Sequence, residues 1–197
     1  MKHLKQILIL LLATLLPLSS RSQAVSRTDT LPSGELMLHQ EIVISAPAER
    51  VWETFTNPAD WQQWVSPVVE MDIRNNGYIR SHYNKDASIG DPGTIVIRIV
   101  TLVPGELLVM QAEMGNNFPA FIREREKHLY SIFRFEPVDE GTTRVVLYAT
   151  GYLNEPRWTE FMNFFIHGNE TTLNRLKTYL EHRLPGTASN LHKKNVF

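Results

Sequence analysis

The chain has 197 residues, of which 43% are hydrophobic, 21% charged and 10% aromatic, with 11 Pro, 10 Gly and no Cys. This is globular composition at the length of one domain, enough to bury roughly 70% of the unfolded surface without covalent staples. The lack of Cys excludes disulfides, thiolate nucleophiles and Cys-based zinc or iron–sulfur sites, and a formal charge of -1 gives no basic footprint for nucleic acid.

Residues 1–24 read as a signal peptide. Lys2 and Lys5 form a basic start, Ile7 to Leu16 is an almost unbroken apolar run, and Ser22-Gln23-Ala24 offers small residues at a cleavage site. The run is about half the ~20 residues that a membrane span needs, so cleavage is expected over the alternative, an uncleaved anchor. No second span follows. Loss of the segment removes Lys2, Lys5 and Arg21 and no acid, leaving an acidic mature chain expected in the periplasm or outside the cell.

Residues 25–35 (VSRTDTLPSGE) are polar, without periodicity, and are predicted to be a flexible lead-in to a domain over 36–184. Leu36, Leu38, Ile42 and Ile44 share one parity with Gln40, which predicts a half-buried strand ending at Ala46-Pro47. Val51, Trp52 and Phe55 then fall on one helical face up to Asn57-Pro58, where the residue before proline avoids the helical region. A second short helix is predicted over 59–65, with Trp61 and Trp64 on one side.

Six strands are predicted next. Val69, Met71 and Ile73 alternate with Glu70, Asp72 and Arg74 as far as the hairpin signal Asn75-Asn76-Gly77, and 78–83 returns. The run 94–103 is almost entirely β-branched and is answered, across Pro104-Gly105, by 106–114; 129–136 and 142–153 make the last pair. A meander of this kind implies antiparallel pairing. Pro156 opens a long helix through Arg183, with Trp158, Phe161, Met162, Phe165, Leu173, Leu176 and Leu180 in one stripe; Pro185-Gly186 stops it, and 185–197 is predicted to be a loose tail. The order calls for an α+β fold in which a curved antiparallel sheet wraps the long C-terminal helix and two short helices follow the first strand.

The run EIVISAPAERVWETFTNPADWQQWVSP from Glu41 to Pro67, followed by GTIVIRIVTLVPGELLVMQ, FRFEPVDEGTTRVVLYATGY and LNRLKTYLE in order and spacing, resembles the START-like (SRPBCC) superfamily. Within it the chain is most similar to the activator of heat-shock protein 90 ATPase homologue-like branch, near the polyketide cyclase/dehydrase group. The resemblance implies the helix-grip fold and a hydrophobic or amphipathic small molecule held between sheet and long helix. Fold alone does not decide function. Two other readings stay open, a cyclase, dehydratase or hydrolase working in the same cavity and a protein-interaction module of the chaperone-regulator kind.

Motifs for phosphate loops, metalloprotease helices, nucleophile elbows and calcium loops are missing from the sequence, and no cofactor or metal is expected. An acid/base role would fall to Tyr83, Tyr130 or Glu113. Tyr83 shares parity with Ile79 and is predicted to face inward. The segment 114–128 (MGNNFPAFIREREKH) is apolar at Phe118, Phe121 and Ile122 and charged beyond, as a flap over a cavity mouth or an ordinary long surface loop would be. Trp64, Met71, Met110, Phe161 and Phe165 supply aromatic and adaptable apolar surface, for a ligand or for a solid core. In the middle of the long helix, Gly168, Asn169 and Thr172 make a small polar notch in the stripe. Asn169 and Thr172 either bond the polar end of a ligand lying against Trp64, Met71, Phe161 and Phe165, or Asn169 is satisfied by a strand group or a buried water.

Overall fold

The computed structural model describes residues 23–182; most of the expected signal peptide and the expected tail 185–197 lie outside the described residues. Strands β1 (Val25–Thr30) and β2 (Leu36–Ile44) lead into helices α1 (Ala48–Thr56) and α2 (Pro58–Trp64). Then come β3 (Val68–Asp72), β4 (Tyr78–His82), β5 (Ile95–Val103), β6 (Leu107–Ala112), a one-turn helix α3 (Ala120–Arg123), a 3₁₀ turn (Glu126–His128), β7 (Tyr130–Asp139), β8 (Thr142–Tyr152) and α4 (Pro156–His182). All eight strands form one antiparallel sheet in the order β1-β2-β8-β7-β6-β5-β4-β3. This is the helix-grip architecture, with β3 to β8 as the expected meander.

Local chemistry explains the boundaries. Asn57 ends α1 in an extended conformation and caps α2, its side chain accepting from the Ala59 N–H at 2.8 Å, while Pro58 occupies the first turn where its missing N–H costs nothing. At the β3–β4 hairpin Asn76 sits at φ 61° and a Cβ on Gly77 would lie 1.9 Å from the Asp72 carbonyl oxygen. Only glycine fits there.

The lead-in expectation is corrected. Residues 25–30 form an edge strand paired with β2 from Val25↔Glu41 to Thr30↔Leu36. An edge strand needs main-chain partners rather than an apolar face, so periodicity gave no signal. Two contacts with α4 also hold it, the Ala24 N–H donating to Asn174 Oδ1 (3.1 Å) and Ser26 Oγ donating to Glu170 Oε1 (2.6 Å).

The core lies between the helices and the face of the sheet carrying Leu38, Gln40, Ile42, Ile44, Val145 and Leu147. There α4 packs mainly on β2, with further contacts to β1, β8, α1 and α2. Leu173, Leu176 and Leu180 join Ile42, Ile44, Phe55, Trp61, Trp64, Phe133 and Phe135 in one apolar cluster. A second cluster gathers Leu36, Leu38, Tyr152, Trp158 and Met162 with Ile122 and Leu129 at the other end of the helix. Each fully buried aliphatic side chain stabilises the fold by about 1.5–3 kcal/mol. No described helix is long and apolar enough to cross a membrane.

Candidate functional site

Helix α4 has two working faces. Trp158, Met162, Leu173, Leu176 and Leu180 are buried against the sheet and the short helices. Phe164, Thr171, Arg175, Thr178 and His182 recur at spacings of seven, four, three and four, which at about 100° per residue keeps them within roughly 40° of one line. From Phe164 to Arg175 this row runs about 17 Å at 1.5 Å per residue.

The row borders an open groove made of two depressions that meet at Thr171 and Arg175. One, of about 790 Å³, lies against residues 62–67 at the α2–β3 connection, with Trp64 and Ser66 in its wall. The other, of about 520 Å³, lies between Phe164, Gly168, Thr172 and Tyr83. The far wall is fixed by packing: Trp64 rests on Phe55 and Trp61, and its indole N–H reaches the Thr54 carbonyl at 3.4 Å. Tyr179 joins helix to wall, its hydroxyl donating to Asp60 Oδ1 at 2.5 Å while Arg50 lies 3.3 Å from Asp60 Oδ2. A buried carboxylate is tolerated here because a phenol and a guanidinium both satisfy it.

The polar notch works differently from the row. Gln40, fully buried among apolar residues of β2, accepts from Asn169 Nδ2 at 2.9 Å and donates to Ser26 Oγ at 2.8 Å and to the Ile166 carbonyl at 3.1 Å. Asn169 is therefore satisfied by a strand group, the second of the two expectations for it. Thr172 donates to the Gly168 carbonyl at 2.9 Å, within its own helix, and lines the smaller depression. The notch thus ties α4 to β1 and β2.

The segment 114–128 folds down onto the start of α4. Phe118 stacks edge-on to Phe161 and Phe121 to Trp158, while Ile122 is completely buried. Arg125 pins the segment, its Nη2 donating to Glu35 Oε1 at 2.5 Å and its Nε to the Gly151 carbonyl at 3.2 Å. Burial here pushes the Tyr152 phenol well above its usual range.

The sequence-predicted residues consequently separate. Trp64, Tyr83 and Thr172 border the groove. Phe118, Phe121 and Phe161 belong to the cluster around Trp158, and Phe165 packs on Phe161 and Phe164. Met110 is buried in the core and Met71 half-buried beside it. Tyr83 is a correction: it was expected to face inward and is 64% exposed, because β4 ends at His82 and the strand parity that buries Ile79 and Ser81 stops with it. Missed in the sequence were Phe164, Asn174, Arg175 and Thr178. Two signals were available: Phe164 is an aromatic off the apolar stripe, and Arg175 has only Thr171, Thr172, Thr178 and Tyr179, with no acid, three and four residues away.

The family model for "Activator of Hsp90 ATPase homolog 1-like protein" matches residues 45–181, from the end of β2 almost to the end of α4. The chain belongs to this family. No curated protein sequence matches it. Among solved structures it is similar to the Aha1 dimer from Colwellia psychrerythraea, at 20% identity and TM-score 0.59, covering 74% of this chain and 96% of that one. It is also similar to CalU16 from Micromonospora echinospora, at 18% identity and TM-score 0.57, covering 91% and 86%. The di-domain ARO/CYC BexL from the BE-7585A biosynthetic pathway follows at 21% identity and TM-score 0.55, covering 74% of this chain and 46% of that chain. At these identities the structures share the fold of this family member, the SRPBCC helix-grip.

Proposed function

We propose that this family member is an exported binding protein for a hydrophobic or amphipathic small molecule, held along α4 and carrying no chemistry of its own. The observation that supports it most is the groove itself. It is open to solvent, and Phe164 (68%) and Tyr83 (64%) both line the smaller depression while exposed, two large aromatics that a monomeric protein seldom leaves bare on one concave surface. The superfamily resemblance adds the kind of ligand. Native mass spectrometry of protein purified from its own host tests this reading, followed by extraction of what co-purifies and titration of a lipid and aromatic panel against Trp fluorescence. A retained molecule or a saturable Trp64 response is expected; the absence of both would overturn the reading.

Export rests on the basic start, short apolar run and small residues before Val25. It is compatible with β1 beginning at Val25, since cleavage after Ala24 leaves every paired residue of that strand in place. N-terminal sequencing of the mature protein should begin at Val25, and an intact Met1 in the membrane fraction would contradict it.

One observation favours the enzymatic reading, namely that Tyr179, which lines the larger depression, donates its hydroxyl to the buried Asp60. Glu113 and Tyr83 stand apart from that pair, Glu113 bonded by Arg98 at 2.7 Å on the sheet and Tyr83 exposed beyond β4. Returning the co-purified molecule to fresh protein and following its mass separates the two readings. An unchanged mass supports binding alone.

A further inference from the structure

The charge along the groove is one-sided. None of the described residues lining either depression is Asp or Glu, although the chain has 21 acids, whereas Arg175 stands where the two depressions meet and His167 and His182 lie towards the ends. Arg175 has no ion-pair or hydrogen-bond partner among the described residues, while most other described arginines, such as Arg125, Arg134, Arg144 and Arg157, are paired with carboxylates. A guanidinium with no acid within reach on its own helix leaves a planar two-donor fork unused.

Neutral donors surround it. Asn174 lines the larger depression with its side-chain amide, whose Oδ1 partner, the Ala24 N–H, leaves with the expected signal peptide, and Thr178 stands one turn beyond Arg175. The hydroxyls of Thr171 and Thr172 are turned back to the carbonyls of His167 and Gly168, which leaves the space in front of Arg175 to charged and amide donors. About 17 Å away along the helix the row ends in Phe164, with Tyr83 opposite.

Resting on the reading that α4 borders a small-molecule groove, we propose that the occupant is an amphipathic carboxylate. Its anionic head is held by Arg175, Asn174 and Thr178, and its apolar body runs towards Phe164 and Tyr83. The carboxylate accepts two parallel N–H bonds from the guanidinium, and no lining acid repels it. Water-exposed chain carbons gain from covering Phe164, the most exposed large hydrophobic side chain among the described residues.

The probes are dodecanoate and dodecanol, which share a chain and differ in the head, titrated below their aggregation concentrations against the full chain by calorimetry and Trp fluorescence. Dodecanoate should bind at least tenfold more tightly than dodecanol. Arg175→Gln should remove that preference, weakening dodecanoate tenfold or more and leaving dodecanol within twofold, whereas Arg123→Gln, outside the groove, should change neither. Phe164→Ser should weaken both probes. Equal binding of the two probes that Arg175→Gln does not alter would overturn the anion site and leave the groove reading standing. Binding of neither would overturn both. A twofold mass in light scattering that Phe164→Ser abolishes would assign the groove to a second copy of the chain and overturn the proposal.

Discussion

Replacing Asn169 by leucine puts an apolar side chain against the fully buried Gln40 and removes the donor to its Oε1 at 2.9 Å. A buried acceptor left without a partner costs about 1–3 kcal/mol, and the leucine returns part of that through apolar burial at a half-buried position. Asn169→Leu should therefore destabilise the fold by about 1–2 kcal/mol, and at roughly 2–4 °C per kcal/mol for a domain of this size the melting temperature should fall by about 2–8 °C. Gln40→Leu should also cost stability, since it takes the partner from Asn169 and a donor from Ser26 and the Ile166 carbonyl. Removing both amides takes away donor and acceptor together, so the double variant should lose about 1 kcal/mol less than the sum of the singles. Urea denaturation of the four proteins closes the cycle. Additivity within about 0.5 kcal/mol, or a neutral Asn169→Leu, would refute the claim that this pair bridges α4 to β2.

Other expectations follow from single groups. A Cβ on Gly151, at φ 92°, would lie 2.0 Å from the His128 carbonyl oxygen, so Gly151→Ala should cost several kcal/mol; Gly168→Ala meets nothing within 4 Å in the middle of a helix and should add about 0.5–1 kcal/mol, both read by thermal melting. Burial alone would raise the Glu181 carboxyl, but Lys177 Nζ at 2.6 Å and the Ser45 N–H at 2.8 Å outweigh it and hold the group below its usual value. Its contribution is then complete above the ordinary glutamate pKa, near 4.5, and is lost as pH falls through the lower folded value. Glu181→Gln should flatten stability against pH below about 4.5, and an unchanged acid limb would contradict this. The Tyr152 phenol, raised by burial, should stay neutral in the folded protein at pH values where exposed tyrosines ionise, and should appear in an ultraviolet titration only as the chain unfolds. Early titration of all six tyrosines would count against that burial.

The sheet and helices were readable because each buries a face with a clear period. Ile42 and Ile44 alternate, Leu173, Leu176 and Leu180 fall at helical spacing, and Asn76-Gly77 marks a turn that only those residue types fit. Strand β1 was hidden because an edge strand held by main-chain bonds and by Ser26 needs no apolar alternation. Tyr83 misled because parity holds only while the ladder continues, and β4 stops one residue earlier. The site was less legible than the fold for the same reason that made the fold easy. Sequence periodicity points to the buried stripe, and Phe161 and Phe165 followed from it, whereas the groove lies along the other side of α4 at Phe164, Thr171, Arg175 and Thr178. The inward amide at Asn169 was visible as an anomaly, but its partner Gln40 is 129 residues away and only the folded register brings them together.

Amide NMR of the mature protein titrated with dodecanoate tests the groove most directly. The account predicts that the largest shifts fall on the Trp64 indole N–H and on the amides of Tyr83, Thr171, Arg175 and Thr178, along one side of α4. Shifts concentrated instead at Phe118, Phe121 and Trp158, or no saturable shifts at all, would contradict it.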